Sequence, residues 1–142
     1  MQADFLQLIA TSTLIIESSI IIILLIGWLW GARRLDFRTH HWAVYSTVLV
    51  NSILVGFWMI PQAISLAAGG YFNDPIASMH QIVHDTIGLV TVALSIVVAL
   101  MFLVRRDMPL KLLKRTRPVM ILVLALWLIT FTLGIVAYTT FW

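Results

Sequence analysis

The chain has 142 residues, of which 61% are hydrophobic and only 11% charged; a soluble domain is about a quarter charged and just under half apolar. It has no cysteine, which excludes disulfides, thiolate metal sites, iron–sulfur clusters and cysteine nucleophiles. The net charge of +3 does not indicate a nucleic-acid partner, because every Lys and Arg lies in one of two short segments between apolar runs, a pattern of membrane topology.

A helix needs about 20 apolar residues to cross the hydrocarbon core, and four such runs with short connections use up nearly the whole chain. The first goes from about Phe5 to Trp30. It is too long for a signal-peptide core and follows no basic residue, so it is read as a retained helix. The second runs from about His41 to Leu66, with Pro61 about one turn from its end. A turn-rich connection follows, Gly69-Gly70-Tyr71-Phe72-Asn73-Asp74-Pro75, with one acid and no base. The third run covers about Ile76 to Val104, and the fourth goes from Pro118, placed as a first-turn proline, to Trp142.

Arg33, Arg34 and Arg38 follow the first run, and Arg105, Arg106, Lys111, Lys114, Arg115 and Arg117 follow the third; together they are all nine Lys and Arg. The positive-inside rule puts both basic segments in the cytoplasm, with both termini and the middle connection on the other side. Trp28, Trp30 and Trp42 near the inner ends, and Tyr71, Phe72, Tyr138 and Trp142 near the outer ends, suit an interfacial aromatic belt. The predicted architecture is all-α: an integral membrane antiparallel four-helix bundle, one domain over residues 1–142.

Polar residues inside a bilayer face the bundle or a cavity, because lipid cannot satisfy them. On the third helix His80, His84, Gly88, Thr91 and Ser95 form one small or polar stripe. On the second, His40, Thr47, Asn51, Trp58 and Gln62 share a face. Thr13, Glu17 and Ser18 cluster on the first, and Trp127, Thr130 and Gly134 align on the fourth. Glu17 lies roughly 18 Å into the first helix at 1.5 Å per residue, near mid-membrane. A carboxyl there is protonated, paired or bound to a cation. The plainer alternative is a protonated Glu17 hydrogen-bonded to Asn51 or a backbone carbonyl.

An i, i+4 histidine pair can ligate a metal ion from one side. His80 and His84 form such a pair, with Asp85 following, and Glu17 and Gln62 could approach at a related depth. In the plainer reading His80 sits at the interface and His84 makes an interhelical hydrogen bond. Asp85 points about 100° around the helix from His84, which weighs against it as a ligand. His40 and His41 lie roughly 30 Å away, across the membrane, and are read as solvated or facing headgroups. Two histidines on one helix face cannot sandwich a haem. A haem would need His84 with another ligand such as Met59, or one from another subunit.

The chain resembles the YozB-like family of small four-helix membrane proteins, a group of unknown function in bacteria and archaea. The resemblance covers roughly His40 to the C-terminus. It is carried by His40-His41-Trp42 followed by Asn51, by His84-Asp85-Thr86-Ile87-Gly88, and by Lys114-Arg115-Thr116-Arg117-Pro118 leading to Gly134-Ile135-Val136-Ala137-Tyr138. Bacterial members often open the last basic stretch with a histidine, where this chain has only Lys and Arg. Some members are linked to maturation of haem–copper terminal oxidases. The resemblance thus implies a membrane setting beside a respiratory complex and adds weight to His84.

No Ser–His–Asp arrangement, phosphate loop or soluble catalytic domain is present, so independent catalysis is not expected. The expected function is a non-enzymatic accessory or assembly component of a membrane-bound redox complex. Its cofactor would be haem b or a copper-type metal ion, held by His84 and His80 with Met59, or by His84, His80, Asp85 and Glu17. The expected partners are the lipid bilayer and other membrane protein subunits. The alternatives are a purely structural subunit, whose Glu17, Asn51 and Gln62 only pack helices, and a haem b electron carrier.

Overall fold

The computed structural model describes residues 2–34, 37–70, 73–104 and 110–141. The belt roles given to Tyr71, Phe72 and Trp142, and the topological role of Arg105 and Arg106, fall outside the described residues. The described residues are helical almost throughout. A first helix spans Gln2–Arg34. The second helix is built of three consecutive pieces: an α-helix Phe37–Leu54, a π-helix Val55–Met59 and an α-helix Ile60–Ala68. The third spans Pro75–Val104 and the fourth Leu110–Phe141. All four contain a stretch long and apolar enough to cross a membrane: Gln7–Trp30, Arg38–Ala68, Ser78–Val104 and Thr116–Thr139. This is the make-up of a multi-pass membrane protein, and in hydrocarbon a helix is the form that satisfies each backbone group within its own segment.

The helices extend beyond the apolar runs. Arg33, Arg34 and Arg38 lie in helix rather than in a loop, and the fourth helix begins at Leu110, so Pro118 is inside it rather than in its first turn. Apolarity marks the part that lipid must cover, whereas helical hydrogen bonding continues until a breaker intervenes. Pro118 removes one donor and crowds the preceding turn. It does so at the polar end of its span, where water or headgroups can bond the carbonyl that Pro118 cannot serve.

Pro61 has a larger effect. Lacking an N–H and clashing with the carbonyl four residues back, a proline inside a helix forces a local adjustment. Here the adjustment is the π turn directly before it, in which the Ile60 N–H donates to the Val55 carbonyl. A π turn takes in an extra residue, so the helix beyond it is rotated by about 100° relative to an uninterrupted α-helix. Gln62 therefore does not share the inner face with Asn51 as expected; it is exposed, and it is Met59 and Ala63, not Trp58 and Gln62, that line the cavity with Asn51.

The second helix ends at Gly69 and Gly70. The Gly69 N–H donates to the Ser65 carbonyl and the Gly70 N–H to the Ala67 carbonyl. Gly70 has φ of 78°, the left-handed conformation that closes helices and that glycine adopts without steric cost. Asp74 then serves the start of the third helix, its carbonyl accepting from both the backbone N–H and the Oγ–H of Ser78.

Contacts run from the first helix to the second, from the second to the third, from the third to the fourth, and from the fourth back to the first. The tightest approach is between the first two. A Cβ built on Gly27 would lie 2.7 Å from that of Ala43, and the Gly27 carbonyl is 3.0 Å from His40 Nδ1. Ile20, Ile21 and Trp127 form the buried apolar cluster, with Leu24, Leu25, Val123 and Phe131 around it. Apart from Val48 and Val92, the other buried positions hold small or polar residues, among them Thr47, Ser78, Thr91 and Ser95, while large apolar side chains such as Ile22, Leu49 and Leu100 are exposed. That is the distribution a lipid surround produces, since lipid tails are as apolar as leucine and close packing favours small residues. The buried hydroxyls bond carbonyls of their own helix, Thr47 to Ala43, Thr91 to Ile87 and Ser95 to Thr91.

Candidate functional site

The third-helix stripe faces the other helices: His84, Thr91 and Ser95 are buried, and His80 and Gly88 half-buried. Ser95 meets the fourth helix, where Trp127 Nε1–H donates to Ser95 Oγ at 2.8 Å. Gly88 allows close approach, since a Cβ there would stand 3.3 Å from Thr130 Cγ2. One turn further out, the fourth helix places Gly134 against His84. A Cβ on Gly134 would lie 3.3 Å from His84 Nε2 and 3.6 Å from Glu17 Oε2. The missing side chain is thus the space across which the histidine and the carboxyl face one another. Their separation cannot exceed the sum of those distances.

His84 is held from its other side. Its Nδ1 lies 3.1 Å from Asp85 Oδ1, and the same oxygen accepts from Gln81 Nε2 at 2.8 Å. Asp85 was expected to point away around the helix, but its side chain turns back to the imidazole, with Gln81 one turn earlier steadying it. The sequence reading did not single out Gln81. With Nδ1–H given to the carboxylate, the tautomer leaves a lone pair on Nε2. That atom is buried and has no hydrogen-bond partner in the protein.

Glu17 is half-buried and turned inward, close enough to His84 for direct electrostatic interaction. It also lines a cavity of about 340 Å³ that the four helices share. Asn51, Met59, Asp85, Thr130 and Trp127 line it too, with Ile20, Ile21, Val92 and Phe131 among the apolar walls. Glu17 and Asn51 therefore face one space, but they form no hydrogen bond with each other. The second helix packs on the third through its Phe37–Leu54 portion. Beyond it, the π turn and the segment after Pro61 form one wall of the cavity.

The expected ligand residues are only partly brought together. His84 and Glu17 meet at Gly134, and Asp85 serves the far side of the imidazole. Met59 lines the cavity, which His84 does not. His80 lies one turn from His84, outside the cavity lining, and Gln62 is exposed. Among the described residues no three His, Cys, Asp or Glu side chains gather closely enough to hold a metal ion. At the other end of the spans, His40 and His41 are half-buried. The ring of His41 lies 5.6 Å from that of Phe102 on the third helix. Tyr138 does more than anchor at an interface, because its hydroxyl is 2.9 Å from Thr11 Oγ1 on the first helix.

No family model, curated protein or solved structure matches the chain.

Proposed function

We propose that the chain is an antiparallel four-helix membrane component without catalysis of its own, acting as an accessory or assembly part of a membrane-bound redox complex. His84 is its working centre, and its chemistry is the handling of a small metal ion of the copper type. The observation that carries this reading is the imidazole itself: Nδ1 on a carboxylate and Nε2 buried and unused. Metal-ligating histidines characteristically give their second ring nitrogen to a carboxylate or carbonyl, which fixes tautomer and direction. Glu17 adds a second donor across Gly134. Imidazole suits copper and zinc, and a bound ion would supply the redox or structural centre that is passed on. Two protein donors hold an ion incompletely, which suits transfer to a partner that completes the coordination. A haem fits less well, since His84 is packed between helices and Met59 opens on a different space.

In this reading both termini and the middle connection are non-cytoplasmic and the basic segments cytoplasmic, as the charge distribution requires. The alternative of a purely structural subunit draws support from the lack of a three-ligand cluster among the described residues. Purification from the native membrane, followed by metal analysis and an optical spectrum, separates the readings. The expected result is sub-stoichiometric metal that falls at least tenfold in His84→Ala, together with loss of activity in the associated complex. Metal content and complex activity unchanged in His84→Ala would leave the structural reading standing.

A further inference from the structure

Asn51 poses a problem that the His84 centre does not solve, and Glu17 shares it whenever no ion is held. Glu17 lies roughly 15 Å inside its span and Asn51 roughly 20 Å inside its own, at 1.5 Å per residue, both in the middle of a hydrocarbon core of about 30 Å. Each opens into the shared cavity, and neither has a hydrogen bond to another described residue. The threonines beside them are different, because Thr91 and Thr130 bond carbonyls of their own helices. Lipid cannot satisfy a carboxyl or an amide at this depth, and leaving one unmatched costs several kcal/mol.

We infer that the cavity binds an uncharged, lipid-soluble molecule carrying a hydroxyl or carbonyl on an apolar body, with Glu17 and Asn51 as its polar contacts. The volume of about 340 Å³ is at the small end of ligand pockets, which run from about 300 to 1,000 Å³. The walls are apolar apart from a few polar groups, the usual make-up of such a site. Charge narrows the ligand further. Glu17 and Asp85 line the cavity and, among the described residues, no Lys or Arg does, so fatty-acid carboxylates and phosphate groups would meet no counter-charge there. An organic cation large enough to fill the cavity, unlike a small metal ion held by His84, would find no fixed ligand set there and would be carried to mid-membrane at high cost. A phospholipid headgroup stays at the interface, and its tail would satisfy neither Glu17 nor Asn51. What remains is a neutral molecule whose carbonyl accepts from the Asn51 amide or a protonated Glu17, or whose hydroxyl can also donate to the carboxyl. A quinol–quinone pair is one source of that chemistry and a long-chain alcohol another.

The inference does not rest on a metal at His84, although Glu17 faces both His84 and the cavity; Asn51→Leu and the filled cavity test it without touching the His84 centre. The protein in phosphatidylcholine nanodiscs is titrated with decylubiquinone and, separately, with dodecanol, and saturable binding is measured by calorimetry. Saturable binding of at least one probe is expected. Decylubiquinone alone would assign the site to quinones, and dodecanol binding would assign it to hydroxyl-bearing lipids. Glu17→Leu and Asn51→Leu should each weaken binding about tenfold, as loss of one buried hydrogen bond implies. Glu17→Gln, which keeps a hydrogen-bonding head, should remain within a few-fold of the parent. Ala63→Phe and Ala67→Phe fill the cavity from two positions, and whichever of them folds should abolish binding. Absence of saturable binding by both probes, or binding that survives Glu17→Leu and the filled cavity, overturns the inference and leaves water as the partner of Glu17 and Asn51.

Discussion

Gly134 is where the absence of a side chain has chemical content. Its flexibility is not used, since it lies within the regular fourth helix; its size is. A methyl group there would stand 3.3 Å from His84 Nε2 and 3.6 Å from Glu17 Oε2, tighter than ordinary van der Waals contact for the first. Gly134→Ala should therefore fold, with a small gain in helix propensity of up to about 1 kcal/mol set against crowding. It should lower metal retention at least tenfold by occupying the space between the two donors. Thermal unfolding and metal analysis on the same sample check this. Metal retained at parent level would show that the ion, if bound, does not lie between Glu17 and His84. Gln81 acts one step further out, positioning Asp85 and through it the imidazole. The approach of Glu17 to His84 across Gly134 could not be read from spacing on any one helix.

The second helix shows how one backbone adjustment reassigns a whole face. An uninterrupted α-helix through Asn51 carries Trp58 and Gln62 inward. With the π turn at Val55–Met59, the cavity is instead lined after Val55 by Met59, Ile60, Ala63, Ile64 and Ala67. The chain has no native cysteine, so single replacements are clean reporters. Ala63→Cys should be shielded from a lipid-soluble maleimide, and Gln62→Cys should label readily. Adding Pro61→Ala, which restores the missing donor and removes the ring clash, should move the pattern toward labelling at 63 and protection at 62. An unchanged pattern would mean that packing against the neighbouring helices, and not Pro61, maintains the π turn. The proline was legible in the sequence. Its consequence was not, because a proline can be absorbed by a kink, a break or a π turn, and the surroundings select among them.

For the molecule as a whole, the first and second helices approach closely where Gly27 faces Ala43. Gly27→Ala would put a Cβ 2.7 Å from that of Ala43, a contact that only helix displacement relieves. Overpacking of this kind typically costs about 1–3 kcal/mol, so the variant should unfold at lower temperature in detergent. It should also weaken the His40 contact to the Gly27 carbonyl. Stability equal to the parent would show that this crossing has slack. The proposed orientation has its own check. Cysteines placed in either basic segment should stay unlabelled by an impermeant reagent in intact cells and become labelled on lysis, whereas Gly70→Cys should label from outside. The reverse pattern would invert the topology.

Length, charge placement and hydropathy determined by themselves that this chain has four helices able to cross a membrane, because hydrocarbon admits so few backbone forms that about 20 apolar residues already imply one. They also determined which residues cannot face lipid, since a carboxyl, an amide or an imidazole at mid-span is too costly there. Tertiary structure decided the rest. Which polar groups meet depends on relative rotation and height of helices, and both are set by contacts such as Gly27 on Ala43 and Gly88 on Thr130 rather than by any pattern along one helix. That is why Glu17 lies across Gly134 from His84, and why Gln62 turns outward. It is also why Asn51 and Glu17 line one cavity without touching.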